Sequence, residues 1–398
     1  MKRSNGEGSV REKRKGLWEG RYTEGFDENG KQIIRSVYGK SKKEVLSKLN
    51  EIHADLDKGT YIQPDEITFG EWLDIWLKEY VISVKPATKA QYAYQIRTNI
   101  KPALGDIRIQ RLTAAMIQQF YNTMQKPHDV TWNSGENRHS EGLSPKSIKN
   151  LHGVIHDALK QAVLCQYLRY NPSESCKLPR IKKKEMKVLQ DDTLKAFIAE
   201  IHNQRFEDLF LIGIFTGMRE SELIGLTWDC VDEKRKLIIV SKQLKRERQA
   251  SGGNVYKFDT LKNDKSRVIS PAQIVFDRLK TIRKAQAEAR LKSGSSDWNP
   301  DNLVFTNPDG SHVVSVTLYN HFKVHARAIG QPDLRFHDLR HTYATLAIQN
   351  GDDIKTVSEN LGHATVAFTL DVYGHVTDRM KRESADRMQA YFDSLMES

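Results

Sequence analysis

One stretch near the C-terminal end, residues 336–374, constrains this chain more than any other: FHDLRHTYATLAIQNGDDIKTVSENLGHATVAFTLDVYG. His337 and Arg340 stand at i, i+3 spacing, so a helix would project both from one face. The Asn350-Gly351 pair is a favoured left-handed stop for that helix. Asp352 is a candidate cap for a second helix, striped by Ile354, Val357 and Leu361. Gly362 ends it and sets His363 on the exit turn. A third short helix is expected from about Thr365, carrying Val366, Leu370 and Tyr373. One compact helical unit would thus bring two histidines, an arginine and a tyrosine to a common surface.

That set suits phosphate chemistry. A guanidinium is a planar fork of donors that matches two non-bridging phosphate oxygens. An imidazole donates to a third oxygen or relays a proton near neutral pH. A phenol, with a reference pKa of about 10, is a weak nucleophile unless a positive site activates it. Each residue alone has a plainer role, as helix-end histidine or core aromatic. Their combination is what points to chemistry.

HDLRH at 337–341, LGH at 361–363 and the tyrosine ten residues later resemble the C-terminal signature of the tyrosine recombinase (integrase) family. The likeness is greatest to integrases of phages and conjugative transposons from Gram-positive bacteria. It implies an earlier arginine and a hairpin lysine. TGMRESEL, 216–223, supplies Arg219 at an expected helix start, where an anion is favoured, with Glu222 three residues on to hold the guanidinium. Lys262 falls between expected strands at 236–243 and 266–270, where the family places its lysine. The family often shows Pro-Lys-Thr and this chain has Leu261-Lys262-Asn263, so Lys257 and Lys265 remain alternatives. Glu220 follows Arg219 where a small residue is common.

A length of 398 residues calls for two or three domains. Lys and Arg number 62 against 51 Asp and Glu, and the net charge of +11 favours a polyanionic partner. Cys165, Cys176 and Cys230 form no CxxC pair and read as buried thiols of a reducing cytoplasm. The longest apolar run, 209–216, is too short to span a bilayer, so no membrane association is expected and the chain is placed in the cytoplasm. There are no internal repeats and no low-complexity tract.

The expected fold is α+β and multidomain: a three-stranded sheet with one helix, a helical bundle, then a mainly helical catalytic domain with a small antiparallel sheet. In residues 1–60, strands at 8–12, 17–26 and 31–39 are joined partly by an Asn29-Gly30 type I′ turn. A helix capped by Ser41 and Glu44 follows, striped by Leu46, Leu49, Ile52 and Leu56. Its sheet carries Arg11, Arg21 and Arg35, and resembles the arm-site DNA-binding domain of such integrases. Residues 67–180 read as the core-binding bundle, with helices begun by Thr68/Glu71, Thr88/Gln91 and Ser144-Pro145, and a loop at 127–142. Lys85, Lys89, Arg97 and Lys101 are candidate phosphate contacts there. The basic stretch 181–188 reads as a linker, and 189–398 as the catalytic domain, opened by an Asp192-capped helix and closed by a tail helix at 379–398.

The resemblance implies that Tyr373 attacks a backbone phosphate, leaving a 3′-phosphotyrosyl link and a free 5′-hydroxyl. Arg219 and Arg340 would clamp the non-bridging oxygens, where such donors typically contribute about 3 kcal/mol each. His363 would donate to one of those oxygens, His337 would handle the tyrosine proton, and Lys262 would protonate the leaving oxygen. No cofactor or metal is called for, because the arginines supply the positive charge. The expected partners are double-stranded DNA attachment sites and three further copies of the chain: a monomer in solution, a homotetramer on DNA. An excisionase or DNA-bending protein is a candidate helper. A type IB topoisomerase would share the chemistry, and a non-catalytic DNA-binding regulator would need no phenol beside these cations.

Overall fold

The computed structural model describes residues 9–57, 66–131, 137–182, 186–248, 253–261, 265–374 and 378–396. The chain divides into two compact units, Met1–Lys183 and Lys184–Ser398.

The first unit opens with an antiparallel sheet, β1 (Ser9–Arg14), β2 (Leu17–Phe26) and β3 (Gln32–Gly39), in the order β1-β2-β3, backed by α1 (Lys42–Asp57). Val45 and Leu49 of α1 bury against Tyr22, whereas the expected stripe residue Leu46 is exposed. The β2–β3 turn is not type I′. Gly30 takes a positive φ of 76° but Asn29 does not, and the Asp27 carboxylate instead accepts the Asn29 and Lys31 amides at 3.0 and 2.8 Å. On the face away from α1, Glu19 is buried and accepts Arg11 Nε at 2.7 Å. Arg35 leaves that basic face: it pairs in register with Tyr22, on the helix-covered side, and bonds Glu24 at 3.0 Å.

The rest of the unit is a bundle of α2 (Phe69–Ile75), α3 (Pro86–Gln95), α4 (Lys101–Leu104), α5 (Ala114–Met124) and α6 (Pro145–Leu164). Thr68 and Glu71 cap α2 reciprocally, and Ser144 caps α6 ahead of its N1 proline. Helix α3 starts at Pro86, two residues before the expected Thr88 cap, because the proline ring presets a helical φ. Trp72 is buried and donates its Nε1–H to the Ala158 carbonyl at 2.8 Å, tying α2 to α6. Where a loop was expected, β4 (His128–Thr131) pairs with β5 (Asn137–Ser140). Both are short and polar, with no apolar alternation to announce them.

In the second unit α7 (Asp191–Ile201), α8 (Glu207–Thr216) and α9 (Glu220–Ile224) lead into β6 (Val231–Asp232) and β7 (Leu237–Val240). The chain then forms the hairpin β8 (Lys242–Arg248) and β9 (Asn254–Thr260), and returns as β10 (Arg267–Ile269) to complete an antiparallel sheet ordered β10-β7-β6. Helices α10 (Gln273–Ser293), α11 (Ser315–Ala328), α12 (Phe336–Gln349), α13 (Ile354–Leu361), α14 (Val366–Tyr373) and α15 (Asp378–Met396) follow. Two caps sit one or two residues from expectation: Gln190, not Asp192, precedes α7, and Asp353, not Asp352, accepts the Thr356 amide to cap α13.

Helix α8 is apolar on every side and runs through the core. Phe210 on it meets Phe197 of α7, Phe322 of α11 and Phe336 of α12, with ring centroids 5.7–6.1 Å apart. That cluster fixes where α12 begins, and α12 carries the signature. Cys230 is buried, whereas Cys165 and Cys176 are only half-buried, and none is bonded to another. No described helix is long and apolar enough to cross a membrane. Replacing Phe322 by Ala is expected to destabilise the second unit by about 3–5 kcal/mol, through lost contacts and the cavity left behind. Urea unfolding followed by far-ultraviolet circular dichroism checks it.

Candidate active site

Two glycines open the site. Gly217 ends α8 in the left-handed region, at φ 63°, and a Cβ there would lie 2.4 Å from the Tyr343 ring. Gly362 ends α13 in the same region, at φ 64°, with the Arg267 side chain 3.0 Å from where its Cβ would be. Only glycine meets both demands at either position. The carbonyls at these helix ends are then free to receive arginines.

Arg340, on α12, is buried and donates Nη1 to Gly217 O at 2.8 Å and Nη2 to Leu361 O at 2.6 Å. Arg219 precedes α9 and donates Nη1 to Glu222 Oε1 at 2.6 Å and Nη2 to Gly362 O at 3.4 Å. Helix α9 has only five residues, so the positive field comes from the guanidinium cluster rather than from an extended helix dipole.

Glu222, 1% exposed, also accepts Arg267 Nη1 at 3.1 Å and Nη2 at 2.6 Å, and Arg267 Nε reaches Asn360 O at 2.7 Å. The sequence did not single out Arg267; its signal is a lone cation inside the otherwise apolar RVI strand. Burial alone would raise the Glu222 carboxyl, but bonding to Arg267 and the charges of Arg267 and Arg219 hold it down at about 2. Burial, then the charges of Arg219 and Arg267, press the Arg340 guanidinium down to about 9, still charged at neutral pH. Arg219 and Arg267 thus bond one carboxylate with the Arg340 guanidinium close by, which leaves a net positive, anion-seeking site. Glu220 does not join them: burial outweighs a bond to Ser315 and pushes its carboxyl up.

Tyr373 closes α14 and packs with Ala344, Ile348, Val357 and Leu361 in a small cluster of its own. Burial raises its hydroxyl to about 12, against the opposing pull of Arg340. The hydroxyl lies 2.6 Å from Nδ1 of His341, a residue that sequence reasoning passed over although it follows His337 by one turn. His337 meets the His341 ring edge-on at 4.9 Å between centroids. His363 lies nearly parallel to the Tyr373 ring, 6.2 Å away, with Nδ1 2.7 Å from Thr369 Oγ1. Tyr343, the other tyrosine of the 336–374 stretch, is half-buried and accepts Asn360 Nδ2 at 3.1 Å. So Arg219, Arg340, His337, His363 and Tyr373 converge in one site.

Lys262 lies outside the described residues. Of the alternative amines, Lys257 is exposed on β9 and paired with Glu247 at 3.0 Å, and Lys265 is exposed two residues before Arg267. Among the described residues no group of three or more His, Cys, Asp or Glu side chains is arranged to hold a metal ion.

The phage integrase family model matches residues 187–380, and the model for the N-terminal SAM-like domain of phage integrases matches 68–125. A tyrosine recombinase XerC-like protein of Caldanaerobacter subterraneus subsp. tengcongensis is 31% identical over 386 residues, covering 93% of this chain and 95% of its own length. The chain is a tyrosine recombinase. It is a site-specific enzyme that breaks and rejoins DNA through a phosphotyrosine intermediate. The ICEBs1 integrase of Bacillus subtilis is 24% identical over 383 residues, 96% of the recombinase and 99% of that protein. The Tn1549 transposon integrase, solved with circular intermediate DNA, shares the fold at a TM-score of 0.65 and 21% identity, over 81% of this chain and 99% of that one. Lambda integrase, solved as a dimer on a core site, does so at 0.57 and 16%, over 93% and 96%.

His337 and His363 are both pressed to about 4, first by burial and then by neighbouring positive or imidazole groups. Each is therefore neutral in the recombinase at pH 7 and takes up its proton more readily when unfolded. Their contribution to stability is complete above an ordinary histidine pKa of about 6.5 and is lost as pH falls toward about 4. Glu222, depressed to about 2, adds a second loss at still lower pH. The thermal midpoint of the free protein is expected to fall from pH 7 to pH 4. Differential scanning calorimetry of a His337→Gln/His363→Gln variant should show the upper part of that slope flattened.

Proposed function

We propose that Tyr373 is the nucleophile of this recombinase, and that Arg219 and Arg340 hold the non-bridging oxygens of the phosphate it attacks. The gathering of those two guanidiniums at the end of α13, beside His363 whose ring lies parallel to that of the buried Tyr373, carries the reading. As the phosphorus becomes five-coordinate, charge grows on the oxygens and the arginine field stabilises it. His363, oriented through Thr369, donates to one of those oxygens, and so does His337, in place of the tyrosine-proton role that the family resemblance implied; a neutral imidazole can do this from one nitrogen. Lys262 delivers the proton to the departing 5′-oxygen. The phosphotyrosine conserves the energy of the broken bond, so a 5′-hydroxyl from another duplex reverses the step without a nucleotide cofactor.

The expected outcome is direct. With a nicked duplex from the end of the element that encodes the chain, the wild type forms a covalent adduct on a denaturing gel, in the presence of EDTA. Tyr373→Phe binds the same duplex and forms none; an adduct mapping to Tyr343 would sink the assignment. Arg219→Lys should lose most cleavage despite keeping its charge, since an ammonium cannot make the bidentate fork.

The same reading assigns residues 1–60 to arm-type DNA, 67–180 to the core site, and 181–188 to the backbone between them. It takes the recombinase as a monomer in solution and a homotetramer on two attachment sites, aided by an excisionase or a DNA-bending protein. The exposed apolar face of α15, with Met388, Phe392 and Leu395 at 54%, 48% and 53% exposure, supports a tail that docks on a neighbouring protomer. Met388→Asp/Phe392→Asp is expected to abolish the paired complex of two attachment sites in a gel-shift assay. Binding to a single site should stay within about threefold of wild type, because a contact that forms at high local concentration adds little to each protomer alone.

A further inference from the structure

The pairing of Tyr373 with His341 is the tightest contact of the nucleophile's hydroxyl, at 2.6 Å, and clamping a phosphate does not require it. A phenol must lose its proton to attack phosphorus, and the arginines, being cationic, cannot take it. Among the described contacts His337 meets the His341 ring, 4.9 Å between centroids with the two imidazole planes at 89°, whereas the hydroxyl is bonded to His341. His363 commits Nδ1 to Thr369.

We propose that His341 is the base that removes the proton from Tyr373 during cleavage and returns it during rejoining. The inference rests on Tyr373 being the nucleophile. In the forward step the phenolic O–H bond breaks and its proton passes to His341 Nδ1. The freed oxygen pair forms the new O–P bond, and the P–O bond to the 5′-oxygen breaks with its electron pair on that oxygen, which is protonated separately. In the reverse step the imidazolium gives the proton back as the tyrosine oxygen leaves. Protons and electron pairs balance, and no co-reactant is required.

The surroundings fit a base that starts neutral and tolerates a charge. Burial holds His341 below the ordinary histidine range, so Nδ1 is free to accept a proton at neutral pH. The groups facing it are Arg335 at the N-cap of α12, Asp338, Arg340 and His337 on α12, Tyr373 on α14, and His363 at the turn between α13 and α14. Asp338, buried three residues before it, is the carboxylate of the set and favours the imidazolium. With the neutral phenol donating to Nδ1, the remaining ring proton sits on Nε2.

The test is single-turnover cleavage of the nicked duplex by the full chain. His341→Gln keeps a polar group of similar reach and cannot accept the proton as a base. Its cleavage rate at pH 7.5 is expected to fall about 100-fold, the ordinary size of a general-base effect, with DNA affinity unchanged. The defect should persist when the leaving 5′-oxygen is replaced by sulfur, because a thiolate departs without a proton and only the nucleophile side is then read. His341→Ala should regain at least about tenfold in rate on adding imidazole, whereas Tyr373→Phe should gain nothing. A His341→Gln rate near or above wild type would overturn the proposal, since the contact would then only restrain the tyrosine. Full restoration by the sulfur substrate would overturn it too, by placing the proton on the leaving group. If His341→Gln does not fold, a folded His341→Ala that imidazole cannot rescue overturns it. An adduct that survives Tyr373→Phe would instead fail the nucleophile assignment itself.

Discussion

The bond network around Glu222 is what the site depends on. This carboxylate, almost wholly buried, lies between the guanidiniums of Arg219 and Arg267, and accepts from each. Three pieces of chain distant in sequence meet there: the turn after α8, strand β10, and the end of α13 reached by Arg267 at Asn360. A buried ion pair contributes little net stability against its desolvation, but removing one partner leaves an uncompensated charge and costs about 3–5 kcal/mol. Glu222 therefore specifies geometry more than it adds stability. It holds two like charges close together, in the arrangement an incoming phosphate would find ready.

Burial, with the positive field acting in the same direction, sets the state of the His337 and His363 imidazoles. Both are pushed toward neutrality first by burial, then His337 by His341 and the arginines, and His363 chiefly by the arginines. Arg340 is depressed too, first by burial and then by the charges of Arg219 and Arg267. A phosphate would reverse the sign of that interaction for every one of these groups. Binding and protonation are coupled for this reason, and preorganised donors need no rearrangement when charge develops on the oxygens.

Tyr373 has a double character. Its ring is core, packed between α12 and α13, and its hydroxyl, bonded to His341, is the nucleophile of the proposed mechanism. With its hydroxyl raised to about 12, the buried phenol stays protonated at neutral pH, which suits the proposed nucleophile of an enzyme that must act only on DNA. The exposed residues Val366, Phe368 and Leu370 on the same short helix contrast with it. Helix α14 is anchored by its end rather than by a continuous apolar stripe.

Much of the site was legible in the sequence because its spacing is local. His337 and Arg340 lie within one turn of one helix, Gly362 and His363 adjoin, and Thr365 caps the helix that ends in Tyr373. The capping pairs Thr68/Glu71 and Ser144-Pro145 were readable for the same reason: a side chain bonds a backbone group three residues away. Thr88 and Asp352 misled because a competing local signal, Pro86 or Asp353, stood beside them. The β4–β5 hairpin left no mark, being too polar and short for a period to show. What only the tertiary structure decided was every contact made across the sequence. Arg267 joins Glu222 from 45 residues away, Arg340 reaches Gly217 across 123, and Tyr373 meets His341 across 32. Such partners are chosen by how helices pack around the Phe210 cluster, and no local pattern records that choice.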